Sequence, residues 1–286
     1  MSSVEDIPPE GSDLALRLLR SRNTMIGGTI VGAVLIVAIF APWLAPYDPT
    51  EVNILDNWRP PGGAHLLGTD ELGRDVLSRL VSGARVSMLV ALTVLAMTMT
   101  IGVAAGMIAG WYRGWRDGLI MRTVDVIFAF PEVIVAILVA AVMGPGTATV
   151  IVALSLVWWP GIARLARSLV LQVKTETYVE AALACATPTW RIMLRHLLPN
   201  IAAPLMIRAS LGVGLIIMAE ATLSFLGIGV QEPRPTWGGM IRDGLPHLRS
   251  DPHLALSASL ALGITMIGFN LLGDGLRDVL DPRARR

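Results

Sequence analysis

The sequence predicts an all-α polytopic membrane protein with about six transmembrane helices, and three observations carry that prediction. Of the 286 residues, 53% are apolar and only 16% are charged, where soluble domains carry about a quarter charged. The apolar residues collect in runs of the ~20 residues needed to cross a bilayer, and the mean hydropathy is +0.62. The 23 basic residues fall almost entirely between those runs; only Arg164, at the edge of one, and Arg208 lie inside them.

The N-terminal segment, 1–24, is polar, with a short amphipathic piece from Leu14 to Arg20 and Arg17, Arg20 and Arg22 just before the first run. Span 1 covers about Met25 to Leu44 and ends at Ala45-Pro46. It is too long for a signal-peptide core, so it is expected to be retained. Residues 47–85 form a loop followed by an amphipathic helix from Asp70 to Arg85. Leu72, Val76 and Leu80 share one face of that helix, and Arg74, Ser78 and Ser82 stand off it. Asp70 and Glu71 suit the positive end of its dipole.

Span 2 is about Val86 to Gly110, followed by Arg113, Arg116 and Arg122. Span 3, about Val126 to Met143, contains Pro131, which is tolerable inside a bundle. Arg122 and Asp125 have the spacing of a helix-surface pair. Gly144-Pro145-Gly146 is a tight turn before span 4, about Thr149 to Ala166. Trp43, Trp158 and Trp159, near span ends, read as interface anchors. A polar, basic segment, 167–200, comes next. Span 5 is about Ile201 to Gly227, the 228–253 segment is polar, and span 6 is about Leu254 to Leu272. The membrane domain as a whole is 25–276 and the charged tail 277–286.

Six spans put both termini on one side. That side holds 15 Arg and Lys and the other 7, so the termini and the 167–200 segment are expected to be cytoplasmic. The charge of +1 gives no reason to expect nucleic acid, and a lone cysteine, Cys185, excludes an intrachain disulfide.

Within the cytoplasmic segment, Thr177 and Glu180 have capping-box spacing. Ala181, Ala182, Leu183 and Ala184 propagate a helix, Thr187-Pro188 interrupts it, and Trp190 to Leu197 reads as a second short helix before Pro199. Glu180-Ala181-Ala182, with Leu198-Pro199 further on, resembles the EAA loop of ABC-importer permeases. The loop's usual Gly falls here on Ala186, which accepts positive φ less readily, so the corner is expected to rest on Thr187-Pro188.

More of the chain resembles the C-type subunit of dipeptide and oligopeptide importers. The matching stretches are His65 to Leu80 with Gly83-Ala84-Arg85; Arg122, Asp125 and Phe130-Pro131; Leu223 to Gly227 with Pro233 and Trp237-Gly238; and Phe269 to Arg277 with Asp281-Pro282-Arg283. The resemblance implies a type I importer permease fold in a bacterial cytoplasmic membrane. It implies pairing with a homologous permease to form the path, with two ATPase domains beneath and an extracytoplasmic binding protein above. It assigns ATPase coupling to Glu180, Ala181, Ala182, Ala186, Thr187 and Pro188. Peptides are the implied cargo, with nickel or another small solute of the same transporter group as the alternative.

The residues offer little chemistry of their own. A P-loop needs Gly-Lys-Ser/Thr, and the single lysine, Lys174, follows Val173. ATP and Mg are therefore expected on partner subunits, with no cofactor, metal or catalytic residue in this chain. The four histidines, His65, His196, His247 and His253, have no metal-ligand spacing. A secondary transporter would want ionisable residues at mid-membrane, and spans 1, 2, 4 and 6 offer almost none. Glu220 in span 5 is the intramembrane carboxylate singled out. It either faces the outer half of the path, to meet a peptide's amino terminus, or bonds structurally to a partner subunit or to backbone donors near Ser224.

Overall fold

The computed structural model describes residues 21–280, and among them the chain is helical apart from loops and two isolated β-bridges. The expectations for Leu14 to Arg20 and for Asp281-Pro282-Arg283 lie outside the described residues. The helices are α1 (Arg22–Leu44), α2 (Val76–Tyr112), α3 (Gly114–Phe128), α4 (Glu132–Met143), α5 (Thr147–Val173), α6 (Thr177–Ala184), α7 (Thr189–Ile192), α8 (Leu198–Phe225), α9 (Trp237–Gly244) and α10 (His253–Leu280). Five helical stretches are individually long and apolar enough to cross a membrane, and the pair α3–α4 makes a sixth if its two arms count as one span.

That pair is the first departure from expectation. Span 3 is not an uninterrupted helix with a tolerated proline, because α3 and α4 meet at 92°. Pro131 has no N–H to continue the ladder, and it forces Phe130 out of helical backbone. Pro131 then becomes the N-cap of a new helix, its carbonyl accepting from Ile134 and Val135. Asp125 also chooses a different partner: it pairs with Arg164 of α5 at 2.7 Å and not with Arg122.

The second departure is on the opposite side. No separate amphipathic helix covers Asp70 to Arg85. The helix begins at Val76 and runs without a break to Tyr112, because Asp75 is its true N-cap, accepting from the Ser78 N–H at 2.8 Å. Asp70 and Glu71 lie before it in a loop, not in a first helical turn. Arg74 and Ser78, placed off the apolar face by periodicity, are buried.

Trp158 lies eleven positions into the 27-residue α5, so neither it nor Trp159 sits at a span end; Trp43, near the end of α1, does. The Gly144-Pro145-Gly146 turn forms with Gly144 and Gly146 at positive φ.

Two apolar cores hold the bundle together. One lies in the half containing the α1–α2 loop and joins Met88, Val94, Leu154, Ile217, Trp237 and Leu254 among others. The second lies in the half containing the central loop and joins Met107, Trp111, Val170, Ile192 and Ile201. The seam between α2 and α5 is closed by Gly102, Gly106 and Gly110, three residues one turn apart. A Cβ at Gly106 would fall 2.4 Å from the Ala163 carbonyl oxygen. Small residues at this four-residue spacing are what let membrane helices approach closely without a hydrophobic drive. The pattern is visible in the sequence as two overlapping Gly-xxx-Gly motifs.

Candidate functional site

The central segment folds as a helix, a corner and a second helix. α6 starts at Thr177, and Glu176 is its N-cap, with no side-chain hydrogen bond. The Thr177–Glu180 capping box therefore does not form, because Thr177 has already entered the helix.

The corner is decided at Ala186. Its φ is +54°, so the alanine does adopt the left-handed conformation expected of the resembling family's glycine. The N–H of Ala186 bonds to the Leu183 carbonyl at 2.9 Å, and that of Thr187 to the Ala182 carbonyl at 3.1 Å. These two bonds form a Schellman motif, which satisfies the last carbonyls of α6. The corner thus rests on Ala186, while Pro188 serves as N-cap of α7.

The second helix is shorter than expected and is not separate. α7 ends at Ile192, and a π-helical turn, Met193–Leu197, carries it directly into α8. Pro199 lacks an N–H and crowds the carbonyl one turn earlier; widening the preceding turn accommodates both effects. The corner is thereby fused to the long helix of span 5.

Burial divides the corner into an anchor and a presented surface. Val179, Ile192 and Leu197 are fully buried in the second core. Glu180, Ala181, Ala186 and Pro188 are exposed, and Ala182 and Thr187 are half-buried. Beside them Leu183 and Trp190 stand 46% and 61% exposed. A short helix whose one side locks into the bundle while its other side offers apolar groups can transmit a push without itself repacking.

Glu220 is elsewhere and is differently placed. It is fully buried between helices of this chain. One oxygen accepts from Ser224 Oγ at 2.8 Å and the other from Ser87 Oγ of α2 at 3.0 Å. Its partners are hydroxyls of its own bundle rather than backbone donors. It is not paired with Arg208.

Sequence reasoning missed a charged cluster on the side of the α1–α2 loop. Asp70 accepts from the N–H groups of Leu72 and Arg74 and from Arg74 Nε at 2.6 Å. Arg79 Nε lies 3.2 Å from the same carboxylate. Arg74 and Arg79 then reach Glu232, after span 5, at 2.5 and 3.0 Å. Burial opposes the charge on Arg74, but Asp70 and then Glu232 outweigh it and hold its pKa above the ordinary value. Burial likewise pushes Glu232 upward, and Arg79 and Arg74 together pull it below the usual carboxylate value. The same side is also held by Trp237 Nε1, at the start of α9, donating to Leu80 O of α2, and by His253 Nε2, at the start of α10, at 2.8 Å from Thr69 O. Nothing local in the sequence pairs residue 74 with residue 232.

Comparisons with known proteins agree with this architecture. A family described as the inner membrane component of binding-protein-dependent transport systems matches residues 102–286. The N-terminal transmembrane domain of oligopeptide transport permease C matches residues 11–61. The chain is 41% identical over 270 residues to the glutathione transport system permease protein GsiD of Pectobacterium atrosepticum, covering 94% of this chain and 90% of that one. It is 38% identical over 274 residues to the oligopeptide transport system permease protein OppC of Bacillus subtilis, covering 96% and 90%. Inward-facing structures of the MetNI methionine ABC transporter share the fold, with a TM-score of 0.58 at 18% identity over 70% of this chain and 96% of that one. With its broken third span, its fused helical corner and these relatives, the chain belongs to the inner-membrane permease components of binding-protein-dependent ABC importers.

Proposed function

We propose that this permease pairs with a homologous permease in the cytoplasmic membrane to form a path for short peptides. Two ATPase domains work from the cytoplasmic side, and a binding protein delivers cargo on the other. The observation that carries the coupling role is the divided corner: Val179 and Ile192 are buried in the bundle while Leu183, Ala186, Pro188 and Trp190 face outward. An ATPase groove closing over that outward surface displaces it. The π-turn continuity into α8 carries the displacement into span 5. Nucleotide biases the transporter only by binding its two states with different affinity.

The peptide reading is supported by the relatives, which are named for glutathione and oligopeptide transport. The orientation is supported by the excess of arginine on the corner's side. The test is purification in mild detergent followed by reconstitution. The expected result is an ATPase that stays bound, and ATP-driven uptake of a tripeptide that requires the binding protein. Uptake without any ATPase subunit would sink the reading.

A further inference from the structure

The third span carries a carboxylate directly after its break. Glu132 is the first residue of α4, about 18 Å from that helix's Gly144 end at 1.5 Å per residue. Trp158 lies about 17 Å into α5 from Thr147 by the same measure. Measured along its helix, each lies more than half of the ~30 Å hydrocarbon thickness from the Gly144–Gly146 turn that joins α4 to α5. Arg208 of α8 joins them. Glu132, Trp158 and Arg208, with Phe128 and Phe130, line one cavity of about 330 Å³. Glu132 and Trp158 also line a second, of about 260 Å³, whose other walls are apolar apart from Thr222 and include Leu154, Leu215 and Met218.

Three features say this chamber is a site and not packing. Glu132 is exposed and Arg208 half-buried, and neither has an ion-pair partner among the described residues. Charged groups at this depth do not face lipid; they face a bundle interior or a water-filled cavity. The indole N–H of Trp158, at the wall shared by the two cavities, is buried with no hydrogen-bond partner among the described residues. A buried donor left unmade costs about 1–3 kcal/mol, and a turn of the indole toward the cavity would let a carbonyl there satisfy it. Finally, α4 has a single fully buried residue, Ala136, and its other faces are left uncovered by this chain. Glu132 therefore opens to the outside of this chain, where the proposed partner permease would pack.

The geometry points to a transit site for a zwitterionic peptide, with Glu132 receiving the ammonium terminus and Arg208 the carboxylate. Trp158 Nε1 donates to a backbone carbonyl, and the apolar cavity takes a side chain. This rests on the peptide reading above and extends it to named groups. Placing opposite charges on two spans lets both termini exchange water for protein at once, which lowers the barrier to crossing without a tight binding step.

The test uses the whole transporter, with partner permease, ATPases and binding protein, in liposomes, and labelled trialanine as the probe. Glu132→Gln and Arg208→Gln are each expected to lower uptake at least tenfold, while Glu132→Asp and Arg208→Lys keep most of it. Stimulation of ATP hydrolysis by loaded binding protein is expected to survive, so that fewer peptides cross per ATP. If uptake is unchanged, or if uptake and ATP hydrolysis fall together, the transit site is wrong and the residues are at most structural. A second arm uses a Cys185→Ser background. Val133→Cys is expected to react with a charged thiol reagent at least tenfold faster than Leu260→Cys, which lies on an exposed apolar stripe of α10. Equal, slow reaction of both would overturn the wet chamber. Absence of trialanine uptake by the wild-type complex would refute the peptide reading itself, and the thiol reactivity would still score the chamber.

Discussion

Arg74 Nη1 lies 2.5 Å from Glu232 Oε2 across 158 residues of sequence. The pair, with Asp70 and Arg79, fastens the segment before span 2 to the loop after span 5. Both helices end near this knot, so it sets the spacing of α2 and α8 on that side of the membrane.

The knot predicts an ordered pair of destabilisations. Asp70 is 1% exposed and holds two arginines that are themselves buried. Asp70→Asn leaves those charges short of a partner and is expected to cost about 3–5 kcal/mol. Glu232 is 44% exposed, so Glu232→Gln costs clearly less. The pH dependence follows from the depressed pKa of Glu232. Its contribution is complete above the ordinary value of 4.5 and is lost as pH falls through the lower folded value. Thermal unfolding in detergent should show wild type and Glu232→Gln converging only below pH 4.5; a gap that closes at higher pH contradicts the assignment.

Ala186 carries left-handed backbone that costs an L-residue roughly 1–2 kcal/mol. Ala186→Gly is expected to raise stability by about 1 kcal/mol, less what glycine's greater freedom in the unfolded chain takes back, with transport preserved. Ala186→Glu is expected to be tolerated by the fold, since Ala186 is exposed, but to abolish coupling by placing a charge in the proposed docking surface. The measurements are melting temperature and binding-protein-stimulated ATP hydrolysis. Normal stimulation in Ala186→Glu would remove the docking role from this corner.

Glu220 ties α8 to α2 through Ser87 and bonds Ser224 within its own helix. Glu220→Gln keeps the shape and hydrogen-bonding capacity, so transport is expected to survive. Glu220→Leu strands two buried hydroxyls, at about 1–3 kcal/mol each, and is expected to lower the amount of assembled complex. Loss of uptake in Glu220→Gln at normal assembly would show that the charge itself is needed.

The orientation is tested by thiol labelling in intact cells. Cys185 is exposed on the corner and is expected to stay unlabelled by an impermeant reagent until the membrane is opened. Leu55→Cys in a Cys185→Ser background, 91% exposed in the α1–α2 loop, is expected to label at once. The reverse pattern would invert the topology.

Composition alone located the six apolar runs, the side on which arginine accumulates and the polar segment that forms the corner, though not where the helix of span 2 begins or that span 3 is broken. These are properties of composition over ~20 residues, and a bilayer reads them without reference to the rest of the fold. Some short-range features still escaped. Thr177 has the spacing of a cap, but the backbone entered the helix at that residue, and Ala186 took a conformation that alanine disfavours because a Schellman motif required it. Pro131 was legible as an interruption; the 92° angle was not, because it depends on how α3 and α4 pack on α5. Only tertiary structure could bring Glu232 to Arg74 and Ser87 to Glu220, or place Glu132, Trp158 and Arg208 around one cavity. A charge inside a membrane must find its partner or its water wherever the bundle supplies it, and sequence distance carries no information about where that is.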